Sequence, residues 1–260
     1  MSLEALIFDV DGTLADTERD GHRVAFNAAF REFGLDWDWD VALYGKLLAV
    51  TGGKERIKHY VETCNSDYVK SLDFDDLVIA LHQAKTRHYT EMLSTGGIPL
   101  RTGVKRLLSE AREDGLRLAI ATTTTPANVT ALLRHSLAED AESWFEVIAA
   151  GDIVAAKKPA SDIYLWALQA LNLPASACMA FEDSENGIRS SLGAGLRTLV
   201  TVNDYTRDHH FAGALTVLSD LGEAGKPFQV FSGHGCGREY VDLALLRTWH
   251  AQQADIAQTV

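Results

Sequence analysis

Short apolar runs alternate with amphipathic stretches along most of the chain. The runs are bounded by turn residues and predict buried strands at residues 6–8, 116–121, 145–149, 177–181 and 198–202. Between them, apolar residues recur at helical spacing, as at Val104, Leu107 and Leu108, with Gly115 where a helix would end. Strands that alternate with helices predict an α/β fold whose doubly wound parallel sheet carries helices on both faces.

One long interval departs from this alternation. Residues 16–94 show helical periodicity at 23–33, 39–48, 54–61 and 74–92, and no strand pattern. We therefore predict a helical cap domain at 16–94, inserted into a core domain of residues 1–15 and 95–260, with hinges near 15–17 and 94–99. Residues 222–260 begin with glycine-rich loop and end in a predicted helix over 240–257, which we interpret as a packing extension of the core.

Composition and charge exclude several classes of protein. The net charge is −12 without a basic run, which argues against a nucleic-acid partner. No apolar run reaches the roughly 18–20 residues that cross a bilayer, and neither a signal nor a transit peptide is evident. The three cysteines are scattered, which favours a reducing compartment. We expect a monomer in the cytoplasm, or in the chloroplast stroma if the source is a photosynthetic eukaryote.

Chemically competent side chains follow four of the predicted strands. They are Asp9 and Asp11, Thr122 to Thr124, Lys157 and Lys158 after a loop, and Glu182 with Asp183. Ligands of open α/β sheets bind beyond the carboxyl ends of the strands, so these groups are expected to meet at one edge. Carboxylates, hydroxyls and an ammonium suit Mg²⁺ and a phosphate group, and a bound cation would offset the repulsion between the two aspartates.

Each of these signals has an ordinary structural explanation when taken alone. Two aspartates around a turn are usually solvated, a threonine run caps a helix, and acidic residues favour a helix N-terminus. Four such signals in order, each after a strand, are much harder to explain separately.

The four motifs resemble those of the haloacid dehalogenase superfamily of phosphotransferases. The stretches are DVDGTLADT, the threonine after LAIA, KKPASDIY and FEDSENGI. Within that superfamily, TGGKERI and HQAKTRHYTE resemble the CbbY-type sugar bisphosphate phosphatases. The resemblance implies a Rossmann-like core with an inserted helical C1 cap, and Mg²⁺-dependent hydrolysis of xylulose 1,5-bisphosphate through an aspartyl-phosphate.

The resemblance also implies catalytic roles for four residues. Asp9 would attack phosphorus, and Asp11 would protonate the leaving sugar oxygen and then deprotonate the attacking water. Thr122 would donate a hydrogen bond to a phosphoryl oxygen. Lys158 would neutralise developing charge, while its neighbour Lys157 is expected to face solvent.

The metal ligands implied by the same motifs are all acidic residues. Asp9 and Asp183 would bind Mg²⁺ through their side chains, and Asp11 through its backbone carbonyl. Glu182 would bind directly or through water.

Predicted substrate contacts lie mainly in the helical domain. Two glycines before Lys54 at a helix start would favour an anion, so we predict a second phosphate site there. A helix start with solvated basic residues is the equally weighted alternative for this stretch. The full set of predicted substrate contacts is Glu18, His22, Thr51, Gly52, Gly53, Lys54, Arg56, His82, Lys85, Thr123 and Thr124.

Two other functions stay open at this point. A phosphosugar mutase of the β-phosphoglucomutase kind would use the same nucleophile, acid and cap. A non-catalytic sugar-phosphate sensor would share the fold, although every catalytic position holds a competent residue. A dehalogenase is disfavoured, because such an enzyme needs neither Asp11 nor Mg²⁺.

Overall fold

A seven-stranded sheet forms the centre of the protein. A computed structural model describes residues 2–68, 73–96 and 98–252. The strands are β1 (Ala5–Phe8), β2 (Arg117–Thr122), β3 (Val147–Ala150), β4 (Cys178–Glu182), β5 (Arg197–Thr201), β6 (Thr216–Leu218) and β7 (Val230–Ser232). Their order in the sheet is β3-β2-β1-β4-β5-β6-β7, and every neighbouring pair is parallel except β6 with β7. The predicted doubly wound α/β fold is confirmed, with one antiparallel edge strand added.

Helices cover both faces of the sheet. They are α5 (Val104–Glu113), α6 (Pro126–Leu132), α7 (Asp162–Leu171), α8 (Glu185–Gly193) and α9 (Leu243–Gln252). Successive side chains of a strand point to opposite faces. Leu6 and Phe8 accordingly pack with the apolar residues of α5 and α9, whereas Ala5 and Ile7 pack with those of α7. Both faces are apolar, as buried parallel strands require.

The segment between β1 and α5 is helical, as its periodicity predicts. A π-helical turn (Glu18–His22) leads into α1 (Arg23–Glu32), and α2 (Val41–Leu47), α3 (Gly53–Thr63) and α4 (Phe74–Gly96) follow. These helices have their own apolar cluster, built around Phe26, Phe30, Trp37, Trp39 and Tyr44. No strand occurs among the described residues of this region, residues 17–68 and 73–96.

The links between the helical region and the sheet lie side by side. Arg101 N donates to Leu14 O at 2.9 Å, and Ala15 bridges to Leu100. Helix α4 continues to Gly96, beyond its predicted end at residue 92. Gly96, which we expected in the second hinge, is therefore helical. Gly97 lies outside the described residues. The division into two domains at residues 15/16 and 94/95 stays a prediction.

The C-terminal part contains more sheet than its sequence indicates. Strands β6 and β7 have three residues each, which is too short for an alternating pattern to be recognised. The last helix starts at Leu243, three residues after the predicted start, and residues 253–257 of its predicted range lie outside the described residues. Arg106 joins this segment to α5, since its guanidinium donates to Val241 O and Gly222 O, both at 2.9 Å. Among the described helices, none has the length and apolar character that crossing a membrane needs.

Candidate active site

The switch in strand order places the first and fourth strands at the centre of the site. From β1 the chain moves to β2 and β3 on one side, and from β4 to β5 and β6 on the other. Ligands of such sheets bind at the carboxyl ends beside this switch point. Asp9 follows β1 directly, and Glu182 and Asp183 stand at the end of β4.

A chamber opens at this point between the sheet and the helical region. Its main part has a volume of about 300 Å³, and a cleft of about 40 Å³ continues from it. The chamber contains every predicted site residue except Glu182 and Lys54: Asp9, Asp11, Glu18, His22, Thr51, Gly52, Gly53, Arg56, His82, Lys85, Thr122, Thr123, Thr124, Lys158 and Asp183.

Three buried carboxylates lie together at the floor of the chamber, where Asp9 and Asp183 line it and Glu182 is fully buried beside them. Oxygens of Asp9, Glu182 and Asp183 lie within 4.8 Å of one another. Lys158 Nζ donates to Asp9 Oδ1 and to Glu182 Oε1, both at 2.6 Å. Burial raises the pKa of Asp9 to about 7, although Lys158 opposes the rise. Burial, followed by repulsion from Asp9 and Glu182, raises the pKa of Asp183 well above its ordinary value. The single positive charge of Lys158 does not neutralise the negative charge of three carboxylates, so this cluster could hold a metal ion.

Two neighbours that sequence analysis missed orient these carboxylates. Tyr164 OH donates to Glu182 Oε1 at 2.5 Å, and Asn203 Nδ2 donates to Asp183 Oδ2 at 2.7 Å. Asn203 comes two residues after β5, so the strand-end argument used for the other motifs could have found it. Tyr164 comes from the interior of α7, where its helical spacing indicates only a core residue.

Gly12 allows the first aspartate loop to approach Asp183. Its φ is +85°, in the left-handed region that glycine enters without strain. A Cβ at this position would overlap with Asp183 Oδ2. The turn after β1 therefore requires glycine for both its conformation and the close contact.

Asp11 is held at the junction between sheet and helical region. Its Oδ1 accepts hydrogen bonds from Thr17 Oγ1 at 2.5 Å and from His22 Nε2 at 2.8 Å. Burial alone would raise the pKa of Asp11, but His22 and Thr17 lower it below its ordinary value. His22 Nδ1 in turn accepts from Lys85 Nζ at 2.9 Å, and burial lowers the pKa of Lys85 to about 8. Asp11, His22 and Lys85 thus form a continuous polar chain.

The threonine loop after β2 forms the wall facing the helical region. Thr122 Oγ1 accepts from Thr124 N at 3.3 Å, and Thr124 Oγ1 accepts from Asn128 Nδ2 at 2.9 Å. Thr122 is buried beside Asp9 in the chamber, and Thr123 lines it from the same loop.

The start of α3 contributes the opposite wall. Gly52 is the N-cap with a φ of +99°, and a Cβ on Gly53 would lie 2.6 Å from the ring of His82. Thr51 Oγ1 accepts from Asn186 Nδ2 of α8 at 3.1 Å, which joins this loop to the sheet side.

The two lysines beside this wall are engaged in ion pairs. Lys54 Nζ donates to Asp152 Oδ2 at 2.6 Å, and Lys157 Nζ lies 2.9 Å from the other oxygen of Asp152. Lys157 also pairs with Glu55 at 3.5 Å. The expectation that Lys157 faces solvent is wrong, because the helical region packs over it. Lys54 and Lys157 line a neighbouring cavity of about 420 Å³ rather than the chamber itself.

The chain is similar in sequence to known proteins. Residues 3–195 match the family model of the haloacid dehalogenase-like hydrolases. The protein CbbY of Cupriavidus necator is 49% identical over 248 residues, which are 95% of this chain and 97% of that protein. A phosphorylated carbohydrates phosphatase of Thermotoga maritima is 28% identical over 77% of this chain and 85% of its own length.

A solved structure is also similar. It is CbbY of Rhodobacter sphaeroides, as an aspartate-to-asparagine variant in complex with xylulose 1,5-bisphosphate. The two chains are 45% identical with a TM-score of 0.77, and the match covers 84% of this chain and 94% of the other.

The doubly wound sheet, the acidic cluster with one lysine at its switch point and the matched relatives together identify a hydrolase that acts on phosphate esters. The chain belongs to the haloacid dehalogenase-like hydrolases, and within them it is a CbbY-type phosphatase.

Proposed function

We propose that the protein is a Mg²⁺-dependent phosphatase that hydrolyses a sugar bisphosphate, with xylulose 1,5-bisphosphate as its main substrate. The observation that carries the proposal is the presence of buried cations in two separate parts of the chamber. Lys158 stands beside Asp9, and Arg56 and Lys85 stand on the helical side. A bisphosphate offers one anionic group to each part. The complex of the Rhodobacter sphaeroides relative supports the same class of substrate.

In this proposal the side chains of the sheet edge perform the chemistry. Asp9 attacks phosphorus, the bond from phosphorus to the sugar oxygen breaks, and Asp11 supplies the proton that the oxygen takes up. Asp11 then takes a proton from water, which attacks the aspartyl-phosphate and releases phosphate. Lys158 favours the ionised form of Asp9 through their 2.6 Å ion pair, and Thr122 donates to a phosphoryl oxygen.

The donor set fits Mg²⁺, because all of its candidate ligands are oxygens. Asp9 and Asp183 would hold the ion by their side chains and Asp11 by its backbone carbonyl, since the side chain of Asp11 is turned to Thr17 and His22. Glu182 Oε1 already accepts two hydrogen bonds, so we assign Glu182 a contact through water. The ion would supply charge neutralisation between the nucleophile and the phosphoryl group.

Replacement of Asp183 by Asn is expected to raise the Mg²⁺ concentration for half-maximal activity at least about tenfold, because one anionic ligand is lost. Titration of the substrate-free protein with Mn²⁺, followed by electron paramagnetic resonance, should show the same weakening. Asp208→Asn, an exposed change on the same side of the sheet, serves as control. EDTA should abolish wild-type activity. Full activity in EDTA would contradict the metal assignment.

We assign the second phosphate to Arg56 rather than to Lys54. Arg56 is buried and lines both parts of the chamber, whereas Lys54 is bound to Asp152 outside it. Backbone N–H groups at the start of α3, after Gly52, add to the attraction for an anion. Binding energy at this remote group would help to close the helical region over Asp9.

Arg56→Ala is expected to lower kcat/KM for xylulose 1,5-bisphosphate by about ten- to a hundredfold, the cost of a charge-assisted hydrogen bond. The loss with p-nitrophenyl phosphate, which has no second phosphate, should be at least about fivefold smaller. Lys54→Ala should lower kcat/KM for the bisphosphate less than Arg56→Ala does. Arg31→Ala, an exposed change on α1, should leave kcat/KM unchanged. Equal losses of Arg56→Ala on both substrates would contradict a bisphosphate clamp.

A further inference from the structure

The hydroxyl of Tyr44 lies between two charged side chains of the chamber. Tyr44 OH donates to Glu18 Oε2 at 2.5 Å and accepts from a terminal nitrogen of Arg56 at 3.0 Å. That nitrogen lies 4.0 Å from the same Glu18 oxygen. The phenol therefore joins the carboxylate and the guanidinium, and it occupies the position between them.

Three segments of the helical region meet at this hydroxyl. Glu18 comes from the π-helical turn beside the hinge, Tyr44 from α2 and Arg56 from α3. Helix α2 is held at its start by Asp40, whose Oδ1 accepts from Leu43 N at 2.7 Å. Tyr44 has no exposed surface, and its ring packs against Trp39 at 5.9 Å between centroids. The hydroxyl is thus fixed by a rigid aromatic cluster.

Arg56 depends on few other contacts for its position. Its Nε donates to Leu47 O at 3.3 Å, and its guanidinium lies 5.2 Å from the centre of the Tyr44 ring. No other hydrogen bond of the Arg56 side chain occurs among the described residues, residues 2–68, 73–96 and 98–252. The guanidinium consequently keeps N–H donors for an anion in the chamber.

Without the hydroxyl, Glu18 and Arg56, whose charged atoms lie 4.0 Å apart, could close to a direct hydrogen-bonded ion pair. Opposite charges about 4 Å apart interact far more strongly in a buried site than in water. A direct ion pair would satisfy Arg56 with a carboxylate of the protein and withdraw it from a phosphate. Burial raises the pKa of Tyr44 well above its ordinary value, so its hydroxyl stays a neutral donor to Glu18.

We propose that Tyr44 is a positioning residue for substrate specificity, which keeps Arg56 apart from Glu18 and available to the second phosphate of the substrate. The proposal rests on the proposed function, because it concerns the phosphate that Arg56 binds. Tyr44 acts through Arg56 and has no part in the reaction at Asp9.

The variant Tyr44→Phe removes one oxygen and leaves the aromatic packing in place. We expect kcat/KM for xylulose 1,5-bisphosphate to fall about tenfold, mainly through KM. The loss with p-nitrophenyl phosphate should be at least about fivefold smaller. Tyr60→Phe is the matched control, because Tyr60 belongs to the same aromatic cluster, whereas the hydroxyl that contacts Glu18 and Arg56 is that of Tyr44. It should match the wild type on both substrates.

A double-mutant cycle separates positioning from a purely structural role. If Tyr44 acts through Arg56, adding Tyr44→Phe to the Arg56→Ala variant should lower kcat/KM for the bisphosphate by less than about twofold more. Additive losses, or equal losses of Tyr44→Phe on both substrates with a lowered Tm, would overturn the proposal.

The same measurements distinguish the failure of this proposal from that of the proposed function. A wild-type enzyme with no preference for the bisphosphate over xylulose 5-phosphate would contradict both. If the wild type prefers the bisphosphate, and this preference is lost in Arg56→Ala but kept in Tyr44→Phe, only the role of Tyr44 would be overturned.

Discussion

Asp9→Asn is expected to abolish turnover, with kcat lowered at least about 10⁴-fold. The amide has nearly the shape of the carboxylate, but it cannot form the acyl-phosphate bond that splits the reaction into two steps. The change should leave the fold intact, because Lys158 keeps its 2.6 Å contact with Glu182. Phosphate release gives the rate, and rapid-quench experiments with ³²P-labelled substrate give the amount of phosphorylated enzyme, which should be undetectable.

The neighbouring Asp16→Asn provides a matched control for this change. Asp16 lies on the same segment, but its side chain is 62% exposed and faces Arg101 at 3.4 Å. This variant should retain wild-type turnover. Asp9→Asn should still bind xylulose 1,5-bisphosphate in calorimetry. Wild-type rates from Asp9→Asn, or a labelled phosphoenzyme, would contradict its role as the nucleophile.

Asp11→Asn is expected to lower kcat about 10³- to 10⁴-fold, for a different reason. The oxygen of an asparagine can still accept from Thr17 and His22, so the contacts at the hinge should persist. It can neither deliver a proton to the leaving group nor take one from water. With p-nitrophenyl phosphate, whose leaving group needs no proton, Asp9 should become phosphorylated in a burst and then react slowly with water.

The observed contacts of Asp11 suit the hydrolytic step, in which Asp11 takes a proton from water. His22 and Thr17 hold its pKa below the ordinary value, so it is ionised and ready to accept a proton. To act as an acid on a sugar oxygen in the first step, it must first take up a proton and turn away from His22. During steady-state turnover, the fraction of enzyme that carries ³²P-phosphate after an acid quench should therefore be higher for Asp11→Asn than for the wild type. Equal labelling of the two proteins would refute the assignment of Asp11 to the hydrolytic step.

The sequence determined the architecture and the sheet-edge residues of the site. Apolar runs of three to six residues form the five longer strands within about two residues of their predicted ends. Because parallel strands deliver their carboxyl ends to one edge, residues that follow β1, β2 and β4 must meet there. Asp9, Thr122, Glu182 and Asp183 do so, and Lys158 reaches Asp9 from its loop. Their proximity follows from strand order and needs no side-chain detail.

The tertiary structure alone decided which charges of the helical region face the chamber. Lys54 and Arg56 lie two residues apart on one helix, and both carry a positive charge. Only the packing of that helix against the sheet directs Lys54 to Asp152 and buries Arg56 beside Tyr44. A helical pattern fixes which residues share a face of the helix, but not what that face meets. Tyr44 and Tyr164 were missed for the same reason, since their partners come from segments distant in sequence.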